Sequence, residues 1–169
     1  EHGEPLLTLS ATVEANRQQK QVLLRKVKAH YGVKAGDPAP LKGRRFALWG
    51  LAFKANTDDI RESMAIELID GLIALGAAVA VHDFEAMPPV RAKLGDRVAY
   101  AKDPMEAVKG ADALLIATEW AQYKAADLGA LAGALKAKVM FDGRNLFRPE
   151  AMVKAGWTYH SIGRGSVTP

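Results

Sequence analysis

From residue 45 to residue 162 the chain alternates short continuous apolar runs with segments whose apolar positions recur every three or four residues. Continuous runs mark strands covered on both faces, and the three-to-four spacing marks amphipathic helices packed against them. The predicted strands are 45–53, 78–83, 97–101, 111–118, 138–141 and 157–162. A helix follows the first strand, capped by Asp59 with Glu62 three residues later, and Met64, Leu68, Ile69, Leu72 and Leu75 form its apolar face. Gly76 ends it. Further helices are predicted over 87–95, where Pro88 and Pro89 suit a first turn, and over 104–109, 128–135 and 149–155. Strand and helix in strict alternation predict an α/β fold, a Rossmann-like, doubly wound, mainly parallel sheet.

Upstream the pattern differs. Residues 13–31 read as one helix, with Val13, Leu23, Leu24 and Val27 as an apolar stripe and basic residues gathered towards the C-terminal end, where they favour the helix dipole. Gly32 stops it, and 32–42, with Gly36, Pro38 and Pro40, reads as a loop. The expected division is an N-terminal segment of helix and loop over 1–43 and an α/β domain over 44–169. Residues 1–12 show no structure of their own, and the first residue is Glu, so the chain reads as a piece of something longer.

Composition narrows the function classes. The 169 residues carry a net charge of +4, but Lys and Arg are interspersed with acids rather than gathered in a block, which points away from nucleic acid and towards small anionic ligands. No apolar run approaches the ~20 residues that span a bilayer, so no membrane partner is expected. The chain has no cysteine, which excludes disulfides and fits a cytoplasmic protein.

The richest stretch in chemistry runs from Gly50 to Ser63. It joins a buried strand to a helix through a polar loop carrying Lys54 and Arg61. The carboxyl end of a strand opening onto a helix start is where open α/β sheets bind phosphorylated ligands. Lys54 can donate to ribose or phosphate oxygens, or be a solvated loop lysine. Arg61, expected in the first helical turn, opposes the dipole there; an ion pair with Asp58 or Glu62 is the structural alternative to a ligand contact. Arg144 follows the fifth strand and returns to the same edge, Gly143 allows a sharp turn, and Asn145 braces it.

The run GLAFK-x-NTDD-x-RES resembles the start of the nucleotide-sugar-binding domain of the UDP-glucose/GDP-mannose dehydrogenase family. Ala117-Thr118-Glu119-Trp120, Phe141-Asp142-Gly143-Arg144-Asn145 and Tyr159-His160-Ser161-Ile162-Gly163-Arg164 match in register downstream, so the resemblance runs from about Asn16 to Arg164. It implies an NAD-dependent oxidation of a sugar C6 alcohol to a carboxylate through a thioester on a cysteine. UDP-glucose is the expected sugar nucleotide, with GDP-mannose or a UDP-N-acetylhexosamine as alternatives. The resemblance makes Lys54, the main chain of Phe53 and Arg144 ligands of the UDP-sugar. It makes Arg61 a contact to NAD, which is held mainly by a separate N-terminal domain. It also makes the 13–31 helix part of a linking helix that forms a homodimer interface. Since this chain has no cysteine, it is expected to be inactive alone. The competing reading is a stand-alone nucleotide-binding module.

Other residues carry less. Asp83 stands where a dinucleotide-binding fold places its ribose acid, but the loop after the first strand lacks the second and third glycines of the fingerprint, which makes Asp83 a structural or capping residue. Asp58 and Asp59 read as a cap and a dipole partner rather than an acid/base couple. His2, His30, His82 and His160 have no metal-ligand spacing, and Trp49, Trp120 and Trp157 read as packing residues.

Overall fold

The computed structural model describes residues 7–169. In order along the chain, the elements are α1 (Leu7–Lys20), α2 (Val22–His30), β1 (Arg45–Trp49), α3 (Met64–Ala74), β2 (Ala78–His82), α4 (Met87–Leu94) and β3 (Ala99–Tyr100). Then come α5 (Pro104–Val108), β4 (Ala113–Ile116), α6 (Ala121–Lys124), α7 (Leu128–Ala134), β5 (Val139–Asp142), α8 (Pro149–Lys154) and β6 (Thr158–Ser161). All strands pair in parallel in the order β3-β2-β1-β4-β5-β6, the doubly wound arrangement expected.

Strand alternation divides the core in two. Phe46 and Leu48 of β1, Leu115 of β4 and Phe141 of β5 point to one face, under α2, α3 and α4. Ala47 and Trp49, Leu114 and Ile116, and Met140 point to the other, under α5 to α8. Both faces are dry, which is why the strands read as continuous apolar runs rather than alternating ones. The upstream helices join the first of these layers: Leu23 and Val27 of α2 are fully buried in it. Gly71 of α3 allows this close approach, since a Cβ there would lie 2.3 Å from Leu24 Cδ2.

Several boundaries differ from the sequence reading. The chain is already helical at Leu7, the first described residue, rather than from residue 13, and the helix breaks at Gln21 into α1 and α2. Residues 1–6, with His2, lie outside the described part. Strand β1 ends at Trp49, because Gly50 takes φ +89 and turns the following amides out of the ladder. The third strand shrinks to Ala99–Tyr100 after a 3₁₀ turn over Gly95–Arg97. The cap of α3 is Ser63, not Asp59; its Oγ accepts from Ala65 N at 3.2 Å and donates to Leu51 O at 2.7 Å. Helix α6 was not anticipated, four residues being too short for a periodicity to show.

At the far edge of the sheet, His160 of β6 joins the upstream helices. Its Nε2 lies 3.1 Å from His30 Nδ1 and its Nδ1 lies 2.6 Å from Ser166 Oγ, and its ring stacks on Phe141 at 4.5 Å. Burial, then the neighbouring His30 and Lys26, push His160 down to about 4. A histidine depressed in the fold stabilises it fully above the unfolded pKa of about 6.5, and that contribution is lost as pH falls towards the folded value. Thermal melts are therefore expected to show a midpoint that drops between about pH 6.5 and 4.5. Carboxylates held low, such as Glu14 and Asp59 at about 2, lose their contribution below that window. His160→Gln should lower the midpoint at pH 7.5 and flatten the slope; an unchanged slope would remove His160 as its source.

Candidate functional site at the carboxyl edge of the sheet

Strands β1 and β4 lie side by side at the point where the strand order reverses, and their connections leave towards opposite faces. A crevice at such a switch point is the usual ligand position in open α/β sheets. Two loops shape it here, one after β1 and one after β5.

The first loop is pressed onto β4. A Cβ on Gly50 would lie 2.4 Å from Thr118 Cβ and 2.5 Å from Thr118 N, so only glycine fits, and Thr118 Oγ1 donates to Ala52 O at 2.6 Å. Asp83, 3% exposed, holds the loop from the other side. One carboxyl oxygen accepts from Leu51 N at 2.6 Å, Ala52 N at 3.2 Å and Trp120 Nε1 at 3.2 Å; the other accepts from Glu85 N and Ala86 N, both at 2.9 Å. Asp83 is thus structural, as its lone position beside an incomplete fingerprint implied. The amides that a glycine-rich loop would turn towards a pyrophosphate are turned inward, so the loop after β1 does not cradle the diphosphate of NAD through its backbone as a glycine fingerprint does.

The second loop is organised by Asp142. Its carboxyl group accepts from Arg144 N, Leu146 N, Phe147 N and the Tyr159 hydroxyl, the last at 2.7 Å. Gly143 does not take a left-handed conformation; the positive φ belongs to Asn145, at +55. Gly143 is instead required by proximity, since its N donates to Ile116 O at 2.8 Å and a Cβ would lie 2.8 Å from that same oxygen. Asn145 braces the turn, donating from Nδ2 to Ile162 O at 3.1 Å and accepting from Ile162 N at 2.9 Å.

These constraints bring Arg144 and Phe53 together. Arg144 Nη2 donates to Phe53 O at 2.7 Å, and its Nε donates to Ala117 O at 2.8 Å and lies 3.0 Å from Glu119 Oε2. Phe53 is itself fixed by a bond from its N to Asp59 O. Both line a cavity of ≈ 490 Å³ together with Gly143, Ile162, Met64 and Glu62. Its remaining wall is α1, through Asn16, Gln19 and Lys20.

Two predicted residues stand apart from the cavity lining. Lys54 follows Phe53 on the same loop; it is exposed and has no hydrogen bond or ion pair among the described residues. Arg61 precedes α3 rather than entering its first turn, because Glu62, at φ +59, breaks the backbone between them. Its partner is Asp59, neither of the acids expected: Oδ1 accepts from Arg61 N and Nε, both at 2.9 Å, and Oδ2 from Nη2 at 2.8 Å. These bonds hold the Asp59 carboxyl down at about 2, yet the Arg61 side chain stays 87% exposed.

The reading of the sequence assigned no ligand role to Glu119 or to Asn16, Gln19 and Lys20 of α1. Glu119 sits inside a quoted motif, and Asn16, Gln19 and Lys20 follow an i, i+3, i+4 spacing that places them on one helix face. That spacing was the available signal.

Residues 47–149 match the UDP-binding domain of the UDP-glucose/GDP-mannose dehydrogenase family. The chain belongs to that family. It is 39% identical over 165 residues to the UDP-glucose 6-dehydrogenase TuaD of Bacillus subtilis, covering 98% of this chain and 34% of that protein. It is 40% identical over 164 residues to the UDP-glucose 6-dehydrogenase of Rhizobium meliloti, covering 97% and 36%. A solved UDP-glucose dehydrogenase from the archaeon Pyrobaculum islandicum superposes with a TM-score of 0.75 at 32% identity, over 92% of this chain and 32% of that one. The chain thus spans about a third of the length of these relatives.

Gly50→Ala tests the packing of the first loop. It puts a methyl against Thr118 on a residue at φ +89 and should cost about 3 kcal/mol or more, a fall in thermal midpoint of roughly 6–12 °C. A variant that melts like the parent would show that the loop moves freely over β4.

Proposed function

We propose that this chain is the nucleotide-sugar-binding part of an NAD-dependent UDP-glucose 6-dehydrogenase, which converts UDP-glucose to UDP-glucuronate. Arg144 carries the reading: its guanidinium is clamped on the Phe53 carbonyl and turned to a cavity at the switch point, within the segment that matches a UDP-binding domain. A guanidinium in that position can hold phosphate or ribose oxygens, and the exposed Lys54 adds a second cation from the loop that carries Phe53. Phe53 supplies its main chain and an exposed ring beside them. Relatives named UDP-glucose 6-dehydrogenases, at 39% and 40% identity, favour UDP-glucose over GDP-mannose or an N-acetylated sugar.

In this reading residues 44–169 are the sugar-nucleotide domain and residues 1–43 the end of a linking segment. Leu9 and Val13, four residues apart on α1 and 59% and 68% exposed, form the apolar pair through which the segment dimerises. NAD supplies the hydride acceptor and is held mainly by a neighbouring domain of the same enzyme, since Asp83 takes the amides that would cradle its diphosphate here. Arg61 is offered to it from the surface. The share of this cysteine-free chain in the reaction is to bind and orient substrate, in the cytoplasm.

Calorimetric titration with UDP-glucose tests the site. Lys54→Ala and Arg144→Ala should each weaken binding by ~1.5 to 3 kcal/mol, about 10- to 150-fold. Lys54→Ala should do so without changing the thermal midpoint, because its side chain has no partner to lose among the described residues. Undiminished binding by both variants would overturn the assignment.

In the complete enzyme Arg61→Ala should raise the KM for NAD or lower turnover while leaving UDP affinity almost unchanged. Stability should stay within ~0.5 to 1 kcal/mol of the parent, as for an exposed pair. Unaltered NAD kinetics would make Arg61 only the partner of Asp59.

A further inference from the structure

The cavity wall supplied by α1 differs in chemistry from the loops. Asn16, Gln19 and Lys20 line it from one helix face. Lys20 is engaged: its Nζ donates to Glu62 at 2.5 Å and lies 3.5 Å from Glu67, so it pins α1 against the segment that enters α3. Elsewhere on α1 polar side chains close on each other, with Glu14 accepting from both Arg17 and Gln18. The carboxamides of Asn16 and Gln19 do not; among the described residues neither has a hydrogen-bond partner. Arg144 likewise uses Nε and Nη2 within the chain and leaves Nη1 without a partner among the described residues.

The cavity therefore offers one guanidinium edge and two neutral carboxamides. A carboxamide carries an acceptor oxygen and two N–H donors, which matches a hydroxyl that both gives and takes a hydrogen bond. It brings no charge to a phosphate. We infer that Asn16 and Gln19 bind vicinal hydroxyls of the sugar nucleotide, on its ribose or its hexose, and so complete a site that the α/β domain alone leaves open on one side. The inference rests on the proposed function, in which Arg144 takes the anionic part of the same ligand. It makes α1 part of the binding site as well as a connection. Lys20 is a positioning residue in this scheme, since its bonds to Glu62 and Glu67 set the helix against the loop.

The test is titration of the 169-residue chain with UDP and with UDP-glucose, comparing the parent, Arg144→Ala and the double variant Asn16→Ala/Gln19→Ala. Both α1 positions are exposed and alanine favours helix, so the double variant should fold as the parent does, checked by circular dichroism. Each lost carboxamide should weaken binding about three- to tenfold. Equal losses for UDP and UDP-glucose assign the hydroxyls to ribose; a loss confined to UDP-glucose assigns them to the hexose. The isosteric pair Asn16→Asp/Gln19→Glu keeps the shape, replaces donors with negative charge, and should weaken both anionic ligands further. Parent-like affinity in both double variants, with Arg144→Ala impaired, overturns the inference and leaves the proposed function standing. Parent-like affinity in Arg144→Ala, or a parent that binds neither ligand, overturns both.

Discussion

The carboxyl edge of this sheet is governed by two buried carboxyl groups that must be supplied with hydrogen bonds. Asp83 ends the run of β2 and Asp142 closes β5, and they are 3% and 0% exposed. An acceptor buried without partners costs several kcal/mol, so each draws in every amide within reach. Asp83 gathers Leu51, Ala52, Glu85, Ala86 and the indole of Trp120; Asp142 gathers Arg144, Leu146, Phe147 and the hydroxyl of Tyr159. The paths of both site-forming loops follow from these two demands.

The same demand separates this domain from a dinucleotide-binding one of equal topology. With Leu51 and Ala52 bonded to Asp83, those two amides are not left to cradle a diphosphate. The side chains that remain open to a ligand are Lys54 on that loop and Arg144 after β5. There the Asp142 knot places Arg144 over β4, where it takes the carbonyls of Ala117 and Phe53. A guanidinium anchored on two carbonyls has lost most of its rotamer freedom before a ligand arrives, which reduces the entropy cost of binding.

The architecture and the loops of the candidate site could be read from residue order. The strands read at 78–83 and 111–118 contain the observed Ala78–His82 and Ala113–Ile116, because burial on both faces leaves few polar residues in either. The structural reading of Asp83 needed only the missing glycines. Errors fell where backbone conformation rather than pattern decides. Asp59 and Ser63 are both good caps by residue type, and Ser63 wins because Glu62 is left-handed and because Leu51 offers its hydroxyl an acceptor. Gly143 looked like a turn glycine, but its need is room beside Ile116, and Asn145 makes the turn.

By itself, then, the sequence determined the parallel sheet, its two covering layers, the family, and the loops that carry Lys54, Arg61 and Arg144. The family follows from a resemblance carried by four ordered motifs, and the rest from periodicity and local chemistry, which act over a few residues at a time. Tertiary structure alone decided that Arg144 closes on Phe53, 91 residues away, and that Asn16 and Gln19 of α1 face the same cavity. Such placements depend on which distant groups compete for each buried amide and carbonyl, and that competition is settled only when the chain is packed.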